Sequence, residues 1–265
     1  MAEAVDPPFD RPDASFNQLE GWSWIGCYGG YYLQADALAA FEHGFFTRQW
    51  HGRGPDELAG YLSAGISVHR PQQVHSATVL AASGARSAPW PEADGLVSDS
   101  GAQSLWVCGA DCTPVLIADP RSGPVAAAHA GWGGVAGGIL AVAVAQLERQ
   151  GCRAADLLVA LGPAIDGTHY QVDAPVVEAI AASLDAGPSA APELEQAGAL
   201  QPDQQPGRWR LDIRGAAELQ LQQLGVKADH IHRCPLCTYS EPLLFHSWRR
   251  DQRKAVQWSG IVSQA

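Results

Sequence analysis

Cys112, His129 and His75 carry the side chains in this sequence best suited to chemistry. Thiolate and imidazole are both zinc ligands, and a catalytic zinc site characteristically takes three protein ligands and leaves a fourth position open. The same cysteine and one histidine also suit a metal-free dyad, with Cys112 as thiolate nucleophile and His129 as its base. The three residues are scattered along the chain and match no zinc-finger spacing, so spacing alone leaves both chemistries open.

The elements that must position them are legible nearby. Residues 115–119 and 125–129 are short apolar runs separated by Pro120-Arg121-Ser122-Gly123-Pro124, so a β-hairpin is expected. With the turn centred near Ser122, His129 lies opposite Val115 and Cys112 stands beyond it, about 10 Å along the strand. Both side chains then reach one end of one hairpin. Residues 72–80 alternate and are β-branched, which predicts a strand bearing His75 as the third arm.

The whole chain, 265 residues with 46% apolar and 17% charged, can bury a sizeable core and is not disordered by composition. A formal charge of −11 argues against nucleic acid or an anionic membrane as partner. No uninterrupted apolar run approaches the length of a membrane span, and the acidic, proline-rich start is no secretory signal, so a cytoplasmic protein is expected. The six cysteines then read as reduced thiols. Cys234-Pro-Leu-Cys237 lacks the second pair a zinc ribbon needs.

Residues 1–20 read as a loose arm and 21–265 as one α/β domain of layered mixed β-sheets flanked by helices. Hairpin patterning at 22–33 and an extended segment at 44–48 precede a helix over 55–62 with Pro55 at its start. Further helices are predicted over 139–150, 175–184 and 212–224, and strands over 105–108, 156–161, 230–233, 243–247 and 255–261. Residues 185–207 read as a long connection with little core. The glycine-rich stretch 131–138 matches no phosphate-loop pattern in full and reads as a close-approach loop.

Gln73-Val74-His75, Ala93-Asp94-Gly95, Ala110-Asp111-Cys112-Thr113-Pro114, Ala128-His129-Ala130-Gly131-Trp132, Leu161-Gly162-Pro163, Cys237-Thr238-Tyr239 and the run from Phe245 to Asp251 occur in this order. Together they resemble the bacterial laccase-domain family, formerly called polyphenol or multicopper oxidases and now regarded as purine nucleoside phosphorylases. The resemblance implies a single α/β domain and a zinc site of His75, Cys112 and His129. It implies phosphorolysis of adenosine, inosine and S-methyl-5'-thioadenosine, with purine nucleosides and phosphate as substrates and adenosine deamination alongside. Copper, Cu2+, is the alternative metal. A true multicopper oxidase needs many His-x-His ligands, however, and this chain has one such pair, His230-Ile231-His232.

Within that resemblance, Arg48 is the candidate for phosphate, because a guanidinium fork matches its oxygens, with an ordinary salt bridge as the plain alternative. Asp111 is a candidate acid/base or an acceptor behind the thiolate. Gln73 would bond a nucleobase or hold His75, and Trp132 would stack on the base or be buried. Arg249-Arg250-Asp251 reads equally well as an internal ion-pair cluster. Three departures from the family pattern stand out: Ser76 where glycine is usual, Gly133 where an arginine is expected, and residues 49–54 in place of the usual segment. A non-catalytic nucleoside- or metal-binding protein is the remaining alternative.

Overall fold

The computed structural model describes residues 18–27, 30–184 and 191–264. Strand β1 (Trp22–Cys27) pairs antiparallel with β2 (Gly30–Ala35), and β2 with β3 (His43–Phe46). Helix α1 (Pro55–Leu62) begins on Pro55, whose missing N–H would have had no helical partner there. Three short strands follow, β4 (Ser67–His69), β5 (Val79–Ala81) and β6 (Gly95–Val97). Then come β7 (Gln103–Gly109), β8 (Thr113–Ala118) and β9 (Val125–Ala130), and helices α2 (Trp132–Ala136) and α3 (Ile139–Arg149). Strands β10 (Leu158–Leu161) and β11 (Gln171–Asp173) lead to α4 (Ala174–Ala181). The chain then forms α5 (Ala191–Gln196), β12 (Leu200–Pro202), β13 (Arg208–Leu211) and α6 (Ile213–Gln223). It closes with β14 (Ile231–Arg233), α7 (Trp248–Asp251) and β15 (Gln257–Val262).

Two six-stranded mixed sheets, in orders β1-β2-β3-β15-β7-β4 and β14-β10-β8-β9-β6-β5, are accompanied by a separate three-stranded sheet β11-β13-β12. Side chains alternate across a strand, so β8 feeds two cores. Val115 and Ile117 pack with Ile139, Leu140, Val144 and Leu147 of α3, whereas Leu116 and Ala118 pack with Phe45, Leu105, Val107 and Ile261 of the other sheet. A third cluster puts Leu58 and Leu62 of α1 against Phe46 and Trp106 on the far face of the first sheet. The layers therefore run helix, sheet, sheet, helix. Each fully buried Leu, Ile or Val contributes about 1.5–3 kcal/mol, which makes the sheet–sheet layer a firm platform for the strand ends.

The β8–β9 hairpin forms as the sequence predicts, its turn closed by the Gly123 N–H on the Asp119 carbonyl at 2.9 Å, with Gly123 at φ 93. The register is shifted by one residue from expectation: His129 lies opposite Pro114, and Val115 opposite Ala128. Residues 72–78 are not the predicted strand. The amides of Val74, His75 and Ser76 are taken by the Asp94 carboxylate instead of a ladder, and His75 adopts φ 61, which no strand tolerates. Residues 243–247 also lack ladder pairing, because Gln257 bonds both the N–H and the C=O of His246 and Arg250 donates to the Phe245 carbonyl. The glycine-rich stretch after His129 is largely the short helix α2. Of the connection expected over 185–207, residues 185–190 lie outside the described residues, and the rest contains α5 and β12 with Leu194, Ala199 and Leu200 buried. The expected arm falls, for residues 1–17, outside the described residues.

Candidate metal centre

Three elements deliver the three predicted side chains to one point. Cys112 precedes β8, His129 is the penultimate residue of β9, and His75 projects from the 72–78 segment. One ligand atom from each lies within 4.8 Å of the others, and the two imidazole rings are 4.9 Å apart at 78°. Among the described residues this is the one group of three or more such side chains placed to hold a metal ion. About 3.5 Å separates ligand atoms around a tetrahedral zinc, so a small convergence of side chains completes the site.

Asp94, fully buried, organises the cluster. Its Oδ1 accepts from His129 Nδ1 at 2.9 Å and from the His75 N–H at 3.0 Å. Its Oδ2 accepts from the N–H groups of Val74 (3.1 Å) and Ser76 (2.7 Å) and from Ser76 Oγ (3.0 Å). One carboxylate therefore holds the left-handed backbone of His75 and fixes the ring of His129 so that Nε2 is left for a ligand. Ala93-Asp94-Gly95 is a motif of the sequence, but nothing in it assigns Asp94 this role. An acid between small residues carries no spacing signal, and only the fold folds its five donors around it.

The electrostatics follow from this packing. Burial pushes the Asp94 carboxyl up, but the bonds from His129, Ser76 and Val74 outweigh it and hold it at about 2. Burial likewise raises the Cys112 thiol, and the His129 and His75 imidazoles reverse that to about 6. His129 would be lowered by burial, yet Asp94 and Cys112 carry it to about 9. His75 is raised, chiefly by Cys112. At neutral pH the cluster pairs the Cys112 thiolate with the His129 imidazolium, with the Asp94 carboxylate behind. A divalent cation fits this donor set: two soft-to-borderline nitrogen ligands, one thiolate, and two negative charges to balance it. Gly131 supplies the space, since a Cβ there would stand 2.8 Å from Cys112 Sγ.

The cluster opens into a cavity of about 560 Å³, within the range of small-molecule sites. Gln73, Asp111 and Trp132 line it with the three ligands. Gln73 spends its amide on strand β7, donating to the Cys108 carbonyl and accepting from the Cys108 N–H, both at 2.7 Å. Asp111, at φ 92, accepts from Thr238 Oγ1 and from the Arg249 N–H, both at 2.7 Å, and so anchors the start of α7. Trp132 is 45% exposed rather than buried, and Trp248, 46% exposed, lines the same cavity. Arg48 does not line it; its guanidinium donates to the Pro242 carbonyl. Arg250 pairs with Asp251 at 2.8 Å and donates to three carbonyls, the internal cluster foreseen for it, whereas Arg249 faces the cavity. Cys234 and Cys237 are buried in the core, and His230 bonds the Leu157 carbonyl, so neither the C-x-x-C nor the His-x-His pair joins the site.

Fold and cluster together define an α/β protein whose sheet ends carry a His–Cys–His group able to take a metal ion. The chain belongs to the family described as multi-copper polyphenol oxidoreductase laccase, which it matches over residues 56–263. It is 40% identical over 256 residues to a Synechocystis protein named Purine nucleoside phosphorylase slr1573, covering 91% of this chain and 97% of that one. The crystal structure of YlmD from Geobacillus stearothermophilus is similar with a TM-score of 0.77 at 28% identity, covering 91% of this chain and 99% of that chain. The Bacillus licheniformis hypothetical protein YfiH has the same TM-score at 27% identity, covering 90% and 98%. Among the described residues no helix is long and apolar enough to cross a membrane.

Proposed function

We propose that this chain is a zinc-dependent purine nucleoside phosphorylase, converting adenosine, inosine or S-methyl-5'-thioadenosine and phosphate to free base and ribose 1-phosphate. The observation that carries this reading is the convergence of His75, Cys112 and His129 within 4.8 Å on a cavity lined by two exposed indoles. The 40% identity to a protein named as a purine nucleoside phosphorylase supports the same reading.

His75, Cys112 and His129 would hold the metal, through one imidazole nitrogen each and the thiolate. Zinc, when bound, supplies Lewis-acid polarisation of a reactant oxygen or nitrogen. The remaining work belongs to the chain. Asp94 keeps the proton of His129 on Nδ1 and Nε2 directed at the ligand position. Trp132 and Trp248 offer faces for a purine, and stacking on an indole orients the base while excluding water from one side. Gln73, with its amide committed to Cys108, holds the segment next to His75 against β7. Asp111 anchors the Arg249 main chain instead of standing free as an acid.

The test is phosphate-dependent release of hypoxanthine from inosine, with metal content measured on protein purified without added zinc. His75→Ala and Cys112→Ala should each lose both turnover and stoichiometric metal. Equal inertness of wild type and variants across purine nucleosides would end the enzymatic reading. Ammonia release from adenosine tests the deaminase activity in the same preparations, and reconstitution with Cu2+ tests the alternative metal.

One observation favours a second reading. Cys112, His129 and Asp94 stand as nucleophile, base and orienting acid, with the thiol already ionised near neutral pH. In a metal-free hydrolase of this kind His75 would be superfluous. Full activity after chelation, together with inactivation by iodoacetamide, would select it.

A further inference from the structure

The metal cluster accounts for only part of the cavity wall. Arg249, Arg253 and Lys254 line the same space, and all three are exposed. Among the described residues none of them is ion-paired to a carboxylate, on a chain whose formal charge is −11. The acids within reach are already committed. Asp251, which feels the charge of Arg253, is held by Arg250 through two bonds of 2.8 Å. Asp111, the carboxylate of the lining, takes Thr238 and the Arg249 main chain.

Gln252 ends α7 in the left-handed region at φ 54, and the chain turns so that Arg253, Lys254, Ala255 and Val256 all border the cavity. The Arg249 guanidinium lies over the Tyr170 ring at 5.0 Å and donates once, to the Gln171 carbonyl at 3.2 Å. A guanidinium has five N–H donors, so most of its capacity stays unspent. Two guanidinium forks and an ammonium are the donor set for a tetrahedral oxyanion: forks pair its oxygens bidentately and the ammonium adds a point charge.

We propose that Arg249, Arg253 and Lys254 form the oxyanion subsite of this cavity and hold the inorganic phosphate co-substrate. The assignment rests on the phosphorolysis reading and takes the phosphate role away from Arg48, which lies outside the lining. It divides the cavity into an aromatic part, Trp132 and Trp248, for the base and a cationic part for the attacking anion.

The experiment measures initial rates on the holoenzyme with inosine and phosphate varied separately, and phosphate binding without nucleoside by 31P line broadening. In Arg253→Ala/Lys254→Ala and in Arg249→Met, KM for phosphate should rise about tenfold or more, with KM for inosine nearly unchanged. The phosphate line broadening should weaken in parallel. Arg48→Ala should leave KM for phosphate at its wild-type value. Unchanged phosphate KM in the rim variants, or a rise confined to Arg48→Ala, overturns the assignment. If wild type turns over no purine nucleoside yet binds phosphate, and the rim variants do not, the phosphorylase reading falls and the oxyanion subsite stands. If wild type binds no phosphate, the subsite falls as well.

Discussion

Replacing Asp94 by asparagine is the sharpest probe of how the cluster is held. The substitution is nearly isosteric in a fully buried position, so packing is preserved and hydrogen-bond polarity is not. Oδ2 receives three donors, from Val74, Ser76 N–H and Ser76 Oγ, whereas Oδ1 receives two, from His75 and His129. The amide oxygen will keep the side with three donors. Its NH2 then faces the His75 N–H and His129 Nδ1, donor against donor. The cheapest relief moves the His129 proton from Nδ1 to Nε2, the nitrogen required by the metal. Loss of an outer carboxylate costs metal affinity about 10–100-fold, or about 1.4–2.7 kcal/mol, and a reversed tautomer puts Asp94→Asn toward the upper end. The assay is competition for Zn2+ with a chromogenic chelator at fixed pH, with circular dichroism as a folding control. Ser76→Ala, which removes only the 3.0 Å hydroxyl contact, should change the affinity far less. A folded Asp94→Asn protein with zinc affinity within about twofold of wild type would refute the account.

Two further perturbations separate sterics and protonation from these effects. Gly131→Ala places a Cβ 2.8 Å from Cys112 Sγ at a backbone conformation alanine accepts, so it should displace the thiolate and leave the protein folded but metal-poor after dialysis. Full metal occupancy in that variant would show that the thiolate position is not critical. His246 is held at about 4, first by burial and then by the charge of Arg48, against about 6.5 in an unfolded chain. Between those values the unfolded state binds the extra proton, so the contribution of this site is complete above about pH 6.5 and is lost as pH falls toward 4. His246→Gln should therefore flatten the fall in urea midpoint between about pH 7 and pH 4.5, and an unaltered slope would contradict the assignment.

Local rules account for what was legible in advance. Helix α1 begins and ends where Pro55 and the apolar spacing place it, and α3 and α6 follow the same logic. Strands β7, β8, β9 and β15 are apolar runs between turn residues, and the hairpin that carries His129 needed only the Pro120–Pro124 turn chemistry. Elsewhere long-range polar groups overrode propensity. Residues 72–78 have strand composition, but Asp94 captures their amides from about twenty positions away in sequence. Residues 243–247 look extended, but Gln257 and Arg250 occupy the backbone groups a ladder would use.

The same division runs through the site. Residue type and ordered motifs determined by themselves that His75, Cys112 and His129 were the candidate ligands, because few side chains bind a borderline-soft cation and these three stand in recognisable contexts. They also determined an α/β protein, since composition and strand–helix patterning are local properties. Only the tertiary structure decided that Asp94 orients two candidate ligands, that Arg48 lies off the cavity while Arg249, Arg253 and Lys254 line it, and that Trp132 keeps its indole exposed. Those facts depend on which distant segments share a wall. A carboxylate's partners and a cation's neighbours are set by three-dimensional proximity, which sequence spacing does not encode.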